Sequence, residues 1–185
     1  MKKFKNIYKV LMTGLLLVIL GSSCTKELRE QEYGKQEQLI ESFVQSLQSR
    51  NPDCRVFHQG GSTRITLAEG EGVEVTARGK AVISYALYDF SSGSASTNAL
   101  VATNSSDIAT TAGWKLTDKE YSALEIQLSD KDILTGLRNG LEGVRQGEEC
   151  WILFSGKYAF GKSKVGTIPA NAPLAYHVWV ETIEN

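Results

Sequence analysis

The chain has 185 residues, 20 Lys and Arg, 21 Asp and Glu, and a formal net charge of −1. This length allows one ordinary domain with an extension, and 42% hydrophobic residues with a near-zero charge exclude a disordered chain. No basic patch interleaved with aromatic residues occurs, which excludes a nucleic-acid-binding surface. His58 and His177 are isolated and no Cys-x-x-Cys motif occurs, so we expect no metal and no cofactor.

Residues 1–23 are typical of a secretory signal. Four lysines precede an apolar run over residues 10–20, which is too short to span a membrane, and Gly21-Ser22-Ser23 leads directly to Cys24. A cysteine after small residues is typical of a bacterial lipoprotein signal, although Gly21 stands where leucine is usual. Because a free, exposed thiol at the start of an exported chain is chemically awkward, we expect a lipid on Cys24 rather than ordinary cleavage. The lipid would anchor the protein in the cell envelope, on the periplasmic side of a membrane or on the outer membrane.

The rest of the chain is expected to form a polar tether over residues 24–32, an N-terminal helix and strand extension over residues 33–71, and a domain over residues 72–185. Apolar residues recur with helical spacing over residues 33–50, and Asn51-Pro52 ends this amphipathic helix because proline cannot continue its hydrogen bonds. The helix either caps the following domain or forms an arm for a homodimer. Its short apolar stripe favours the cap.

The domain has the pattern of an α+β fold. Strand patterns occur around Ile65 and over residues 73–90, 123–128, 149–155 and 174–183, and the polar segment 91–121 is expected to be an irregular excursion. Ser129 is expected to cap a helix over residues 130–139, and Gly140 or Gly143 to end it at positive φ. No βαβ alternation occurs that would demand a parallel sheet.

Cys54 and Cys150 leave two alternatives open. An exported compartment permits a disulfide between them. However, Cys54 lies outside the predicted domain and Cys150 lies inside a predicted central strand, so two packed, unpaired thiols are an equal alternative.

The last third of the chain carries motifs that resemble a known family. The helix and turn read Ile133-Leu-Thr-Gly-Leu, the next loop reads Tyr158-Ala-Phe-Gly, and the final strand is entered through Ile168-Pro-Ala-Asn-Ala-Pro-Leu-Ala-Tyr. They resemble the "v-i-x-G-w", "a-Y-G" and "I-P-x-n-a-x-L-x-F" motifs of FKBP-type peptidyl-prolyl cis-trans isomerases. The resemblance covers about residues 72–183. It implies an FKBP-like twisted antiparallel β-sheet wrapped around one short α-helix, in a bacterial lipoprotein member with a divergent active site.

The resemblance also implies a candidate site. The catalytic residues would be Tyr85, Phe160 and Tyr176. The substrate-binding residues would be Leu124, Ile133, Leu134 and Leu137. Among them, the amide N–H of Leu134 would donate to the substrate carbonyl, and Leu137 would take the place of a tryptophan floor. Without the resemblance, apolar residues in such positions would be read as core.

The site departs from the family at three places. The "f-D" pair expected near residues 94–98 is absent, Phe160 lacks the tyrosine hydroxyl, and Leu137 is smaller than tryptophan.

Two functions are therefore expected. The first is a peptidyl-prolyl isomerase, with weak activity, acting on proline-containing segments of exported proteins. The alternative is an inactive FKBP-like lipoprotein that binds a peptide or a partner in the cell envelope.

Overall fold

The structure is a computed structural model that describes the backbone of residues 2–115 and 117–185 and the side chains of residues 26–115 and 117–185. The chain divides into two compact units, residues 1–35 and residues 36–185. The first unit is helical throughout its described part, and the second contains the sheet and the candidate site. Among the residues with described side chains, no helix is long and apolar enough to cross a membrane.

Three α-helices and seven β-strands form the described chain. The helices are α1 (Lys2–Arg50), α2 (Ser106–Thr111) and α3 (Thr135–Leu141). The strands are β1 (Arg55–Gln59), β2 (Ser62–Ala68), β3 (Lys80–Asp89), β4 (Leu100–Thr103), β5 (Leu124–Gln127), β6 (Glu149–Phe154) and β7 (Leu174–Glu184). Two short 3₁₀ turns precede β4 and follow β6, at Thr97–Ala99 and Gly156–Tyr158.

The seven strands form one antiparallel sheet, in which six strands follow the order β1-β2-β6-β7-β3-β4 and β5 pairs with β3 beside this path. Along its outer edge, β3 pairs with β5 over residues 80–83 and with β4 over residues 86–88. The central strands β6 and β7 are covered on both faces, which explains the nearly continuous apolar run of β6. The predicted α+β architecture, an antiparallel sheet with one short helix against it and a helix at the N-terminus, is confirmed.

Residues 36–50 of α1 pack across one face of this sheet. Three apolar residues on one helical stripe are buried there: Ile40, Val44 and Leu47. The ring of Phe43 meets Phe90 and Trp151 edge to face, with centroid distances of 5.2 and 5.4 Å. Each fully buried apolar side chain contributes about 1.5–3 kcal/mol. This part of the helix therefore caps the domain, whereas a homodimer through it stays a prediction.

The structure corrects two predicted segment boundaries. Residues 24–32 do not form a loose tether but lie within α1, because the run up to Gly34 is rich in good helix formers and contains no proline. Residues 55–68 are not a separate extension, because β2 pairs with β6 in the main sheet. The domain therefore starts well before residue 72. The side chains of the predicted signal and of Cys24 lie outside the described residues.

Cys54 and Cys150 are both free thiols, so the unpaired alternative is the one observed. Cys150 is fully buried in β6. Burial raises the pKa of its thiol, and the nearby charge of Glu148 raises it further. The thiol of Cys150 therefore stays protonated and unreactive in the folded domain.

The turn after α3 depends on Gly143. Its φ is +84°, which confirms that one of the two predicted glycines adopts the left-handed conformation. Its N–H donates to the carbonyl of Val75 at 2.9 Å. A side chain at this position would meet the nearest atoms of Arg64 only at 3.8 Å, so the constraint comes from the backbone and not from crowding.

Gly143→Val is expected to lower the free energy of unfolding by about 1–3 kcal/mol, because a β-branched residue is strained at positive φ. Gly143→Asn is the matched control and is expected to lose less, since asparagine tolerates this conformation. Urea unfolding measures both variants. Equal stability of Gly143→Val and the parent would contradict the assigned turn.

Candidate functional site

Helix α3 lies close to β6 because two of its glycines leave room for larger side chains. A Cβ at Gly136 would overlap the ring of Phe154, and a Cβ at Gly140 would overlap Ile152. Each glycine costs the helix about 1 kcal/mol relative to alanine, which the close packing offsets. This contact holds Leu137 inside the main hydrophobic cluster, where it is 4% exposed.

Tyr85 and Tyr176 are neighbours on the sheet face that α3 covers. Tyr85 lies on β3 opposite Val178, and Tyr176 lies on β7 opposite Leu87, so the two tyrosines are diagonal partners. Their ring centroids are 5.9 Å apart. The ring of Tyr176 also stacks on Phe154 at 6.0 Å. The three rings form a continuous aromatic wall in the same cluster as Leu137.

Two loops and the segment before α3 complete this cluster. After the turn Gly156–Tyr158, Phe160 packs partly buried against it, and Ile168 joins it from the segment before β7. Ile133 and Leu134 pack partly buried from the segment before α3. The structure therefore brings together six of the seven residues expected to form the site: Tyr85, Ile133, Leu134, Leu137, Phe160 and Tyr176.

Leu124 does not join them. It is the first residue of β5, pairs with Ile83, and is 39% exposed. Ile126 and Leu128, which alternate with it along the chain, are each 1% exposed. The predicted alternation is therefore right, but Leu124 lies at the end of an edge strand where no other element covers it. We leave it out of the site.

Helix α3 begins at Thr135 instead of residue 130, and Ser129 does not cap it. The carboxylate of Asp130 accepts a hydrogen bond from the N–H of Asp132 at 2.9 Å, which forms a turn in place of a helical start. Leu134 becomes the N-cap, with a φ of −51° and a ψ of 129°. Within the described chain, no group accepts a hydrogen bond from its amide N–H. The amide expected to donate to a substrate thus has no partner there.

Asn104 fixes the backbone beside Tyr85 and was missed by the sequence analysis. Its side-chain oxygen accepts the N–H of Tyr85 at 2.6 Å, and its side-chain nitrogen donates to the carbonyls of Ile83 and Ser122 at 3.2 and 3.1 Å. The hydroxyl of Thr103 donates to the carbonyl of Tyr85 at 2.7 Å. Both residues lie outside the segment 94–98 in which the "f-D" pair was sought. In the sequence, the two polar residues Thr103 and Asn104 after an apolar strand are only a weak signal that they support the backbone of Tyr85.

The two tyrosines are neutral groups. Burial raises the pKa of the Tyr85 hydroxyl. Burial also raises the pKa of the Tyr176 hydroxyl, and repulsion from ionised Tyr85 raises it further. Both hydroxyls therefore stay protonated around neutral pH and can donate hydrogen bonds. The residues with described side chains contain no cluster of His, Cys, Asp and Glu that could hold a metal ion.

A polar cleft of about 410 Å³ adjoins the cluster through Val101, which packs against it. The polar residues Asp89, Ser91, Ser92 and Asn98 line this cleft, as does Thr167, the residue before Ile168. An apolar ring could enter the cluster beside this cleft only after neighbouring side chains move, because Leu137 and Tyr176 are almost fully buried.

Comparison with known proteins gives a family match for part of the chain. Residues 107–181 match the family model of the FKBP-type peptidyl-prolyl cis-trans isomerase, a stretch that contains α3, β6 and both loops but not Tyr85. No curated protein sequence matches the chain.

Several solved structures share the fold. FkpA from Escherichia coli superimposes with a TM-score of 0.55 and 15% identity, covering 86% of this chain and 64% of that chain. The N-terminal domain of FKBP42 from Arabidopsis thaliana superimposes with a TM-score of 0.54 and 19% identity, covering 72% of this chain and 94% of that chain. The chain thus spans less than two thirds of the FkpA chain. Residues 107–181 are thus similar to the FKBP-type peptidyl-prolyl cis-trans isomerase family, and the chain shares the fold of these solved structures.

Proposed function

We propose that the protein is a slow peptidyl-prolyl cis-trans isomerase that acts on Xaa-Pro bonds of exported proteins. The observation that carries the proposal is the convergence of Tyr85, Tyr176, Leu137 and Phe160 in one apolar cluster next to the unpartnered amide of Leu134. The reaction makes and breaks no covalent bond, so it needs neither a nucleophile nor a metal.

The residues of the cluster fit the chemistry of the reaction. The barrier to rotation is about 18–20 kcal/mol and arises from conjugation in the amide bond. A dry apolar pocket that holds the proline ring, with one donor for the carbonyl, favours the twisted amide over the planar one. In this proposal Tyr85 and Tyr176 form the walls, Leu137 forms the floor, and the N–H of Leu134 donates to the carbonyl.

Three features make a slow rate the expected outcome. Phe160 has no hydroxyl to hydrogen-bond the substrate backbone, and Leu137 offers a smaller floor than tryptophan. Leu137 and Tyr176 are also only 4% and 7% exposed, so neighbouring side chains must move before a proline ring reaches the floor. This movement costs part of the binding free energy.

The nearly closed floor favours a second candidate, an FKBP-like module that binds a peptide or partner segment without turnover. In that case the polar cleft beside Val101 would hold the segment, and the proline ring would not enter the cluster.

A peptide titration followed by NMR separates the two candidates. The isomerase is expected to bind Ala-Leu-Pro-Phe more tightly than Ala-Leu-Ala-Phe and to speed the exchange between the cis and trans forms of the proline peptide. Equal binding of the two peptides, without faster exchange, would contradict the isomerase and favour the module.

We further propose that the mature chain begins at a lipid-modified Cys24 and acts on proline-containing segments at the surface of a membrane in the cell envelope. A single acyl chain binds a membrane only marginally, whereas several hold it firmly. The motif at residues 20–24 supports this proposal.

Cys24→Ala is expected to move the protein from the membrane fraction to the soluble fraction of the producing bacterium. Cys54→Ala, which removes a thiol inside the domain, is the control and should leave the protein in the membrane fraction. Fractionation followed by immunoblotting measures both variants. Unchanged membrane association of Cys24→Ala would refute the anchor.

A further inference from the structure

The side chain of Gln36 connects α1 to both loops of the candidate site. Its oxygen accepts the backbone N–H of Gly156 at 2.8 Å, and its nitrogen donates to the backbone carbonyl of Asn171 at 2.8 Å. Gln36 is 6% exposed. Both ends of a buried side-chain amide are thus satisfied by backbone groups that lie 120 and 135 residues away along the chain.

These two bonds close a ring that runs through both loops. The carbonyl of Gly156 accepts the N–H of Gly161 at 3.0 Å, and the carbonyl of Gly161 accepts the N–H of Asn171. The carbonyl of Asn171 accepts the Gln36 nitrogen, and the Gln36 oxygen accepts the N–H of Gly156. Gln36 is the one side chain in a ring that is otherwise made of backbone groups.

The ring joins the two loops that carry Phe160 and Ile168. Phe160 lies between Gly156 and Gly161, so the first loop carries it while both of its ends are held. Ile168 lies three residues before Asn171 on the second loop. Asn171 is itself constrained, since its φ is +60° and a Cβ at Gly156 would collide with its backbone. The relative position of the two loops is therefore set within the ring.

We propose that Gln36 is a positioning residue for prolyl isomerisation, which acts by holding the Phe160 loop and the Ile168 loop at a fixed separation. The inference rests on the proposed function, because it concerns how the same site is assembled. It assigns to α1 a role in the site in addition to its packing on the opposite face of the sheet.

Gln36→Met keeps the length of the side chain and removes both hydrogen-bonding groups. We expect the kcat/KM of this variant on Ala-Leu-Pro-Phe to fall about tenfold, measured on the full chain in mild detergent. A loss of this size is typical when a buried hydrogen bond is removed. Gln45→Met makes the same chemical change at an exposed position of the same helix and should leave the rate unchanged. A parent-like rate for Gln36→Met would overturn the proposal.

Gln36→Glu provides a rescue that loss of packing alone would not give. A protonated carboxyl has one acceptor and one donor and can replace both bonds, whereas a carboxylate cannot donate to the carbonyl of Asn171. Burial raises the pKa of such a carboxyl. The rate of Gln36→Glu relative to the parent is therefore expected to rise as the pH falls from 8 to 5. A ratio that stays constant over this range would contradict the positioning role.

Hydrogen exchange tests the ring independently of catalysis. In Gln36→Met, peptides covering residues 156–161 and 168–172 are expected to lose protection while β6 keeps it. Equal loss in β6 would show a general loss of stability and overturn the proposal, as would unchanged protection of the loops. If the parent has no isomerase activity, the proposed function fails, and this experiment still decides whether Gln36 holds the loops.

Discussion

Arg64→Met is expected to lower the free energy of unfolding by about 3–5 kcal/mol, because it leaves the carboxylate of Glu148 buried without its cation. The two side chains are 9% and 5% exposed, and Arg64 Nε lies 3.5 Å from Glu148 Oε1. Arg64 also donates from Nη1 to the carbonyls of Gly140 and Glu142 at 3.1 and 2.9 Å. The variant therefore also removes the donors that satisfy the C-terminal end of α3.

Urea unfolding compares this variant with two others. Arg55→Met removes an ion pair with Glu69 whose side chains are 66% and 52% exposed, so little change is expected. Adding Glu148→Gln to Arg64→Met should recover part of the loss, because no unpaired charge is left buried. Similar stabilities of Arg64→Met and Arg55→Met would mean that the buried pair does not stabilise the domain.

Tyr85→Ala and Phe160→Ala are each expected to reduce the isomerase rate of the full chain by tenfold or more, about 1.4 kcal/mol or more in activation free energy. Each removes one aromatic wall, so the proline ring loses contacts and water gains access to the twisted amide. Tyr85 also packs against Tyr176, and its loss frees the neighbouring ring. Exchange of Ala-Leu-Pro-Phe measured by NMR gives the rates.

Two controls show whether such a loss is specific. Tyr85→Phe keeps the ring and should keep most of the rate. Phe57→Ala removes an aromatic residue of β1 that is 42% exposed and lies outside the cluster, so the rate should not change. Parent-like rates for Tyr85→Ala and Phe160→Ala would place the active site elsewhere.

Local patterns in the sequence predicted the elements that depend on local chemistry. The end of α1 follows from Asn51-Pro52, and the left-handed turn follows from Gly143. The start of α3 was misplaced because Ser129 and Asp130 both suit a helix start, and here the Asp130 carboxylate closes a turn instead. The predicted tether failed because helix propensity outweighed polarity over residues 24–32.

The contacts that define the site join residues far apart in the chain, which single-sequence patterns do not encode. In the sequence, Gln36 is an ordinary polar position of a predicted helix, yet its side chain forms hydrogen bonds with the backbone of Gly156 and Asn171. Asn104 lies in a segment predicted to be irregular, yet it is 6% exposed and its side chain accepts the backbone N–H of Tyr85. Six of the residues predicted from the family motifs lie in one cluster, whereas Leu124 lies outside it, because the exposure of an edge strand depends on what covers it.

The rate at which the full chain exchanges cis and trans Ala-Leu-Pro-Phe tests the central claim most directly. Uncatalysed exchange takes tens to hundreds of seconds at 25 °C, so even weak catalysis is measurable. We expect a clear acceleration that grows with protein concentration and is smaller than that of a family member with the tryptophan floor and the tyrosine of the "a-Y-G" loop. No acceleration at protein concentrations that bind the peptide would contradict an isomerase, and a rate equal to that of such a member would contradict the weight given to Leu137 and Phe160.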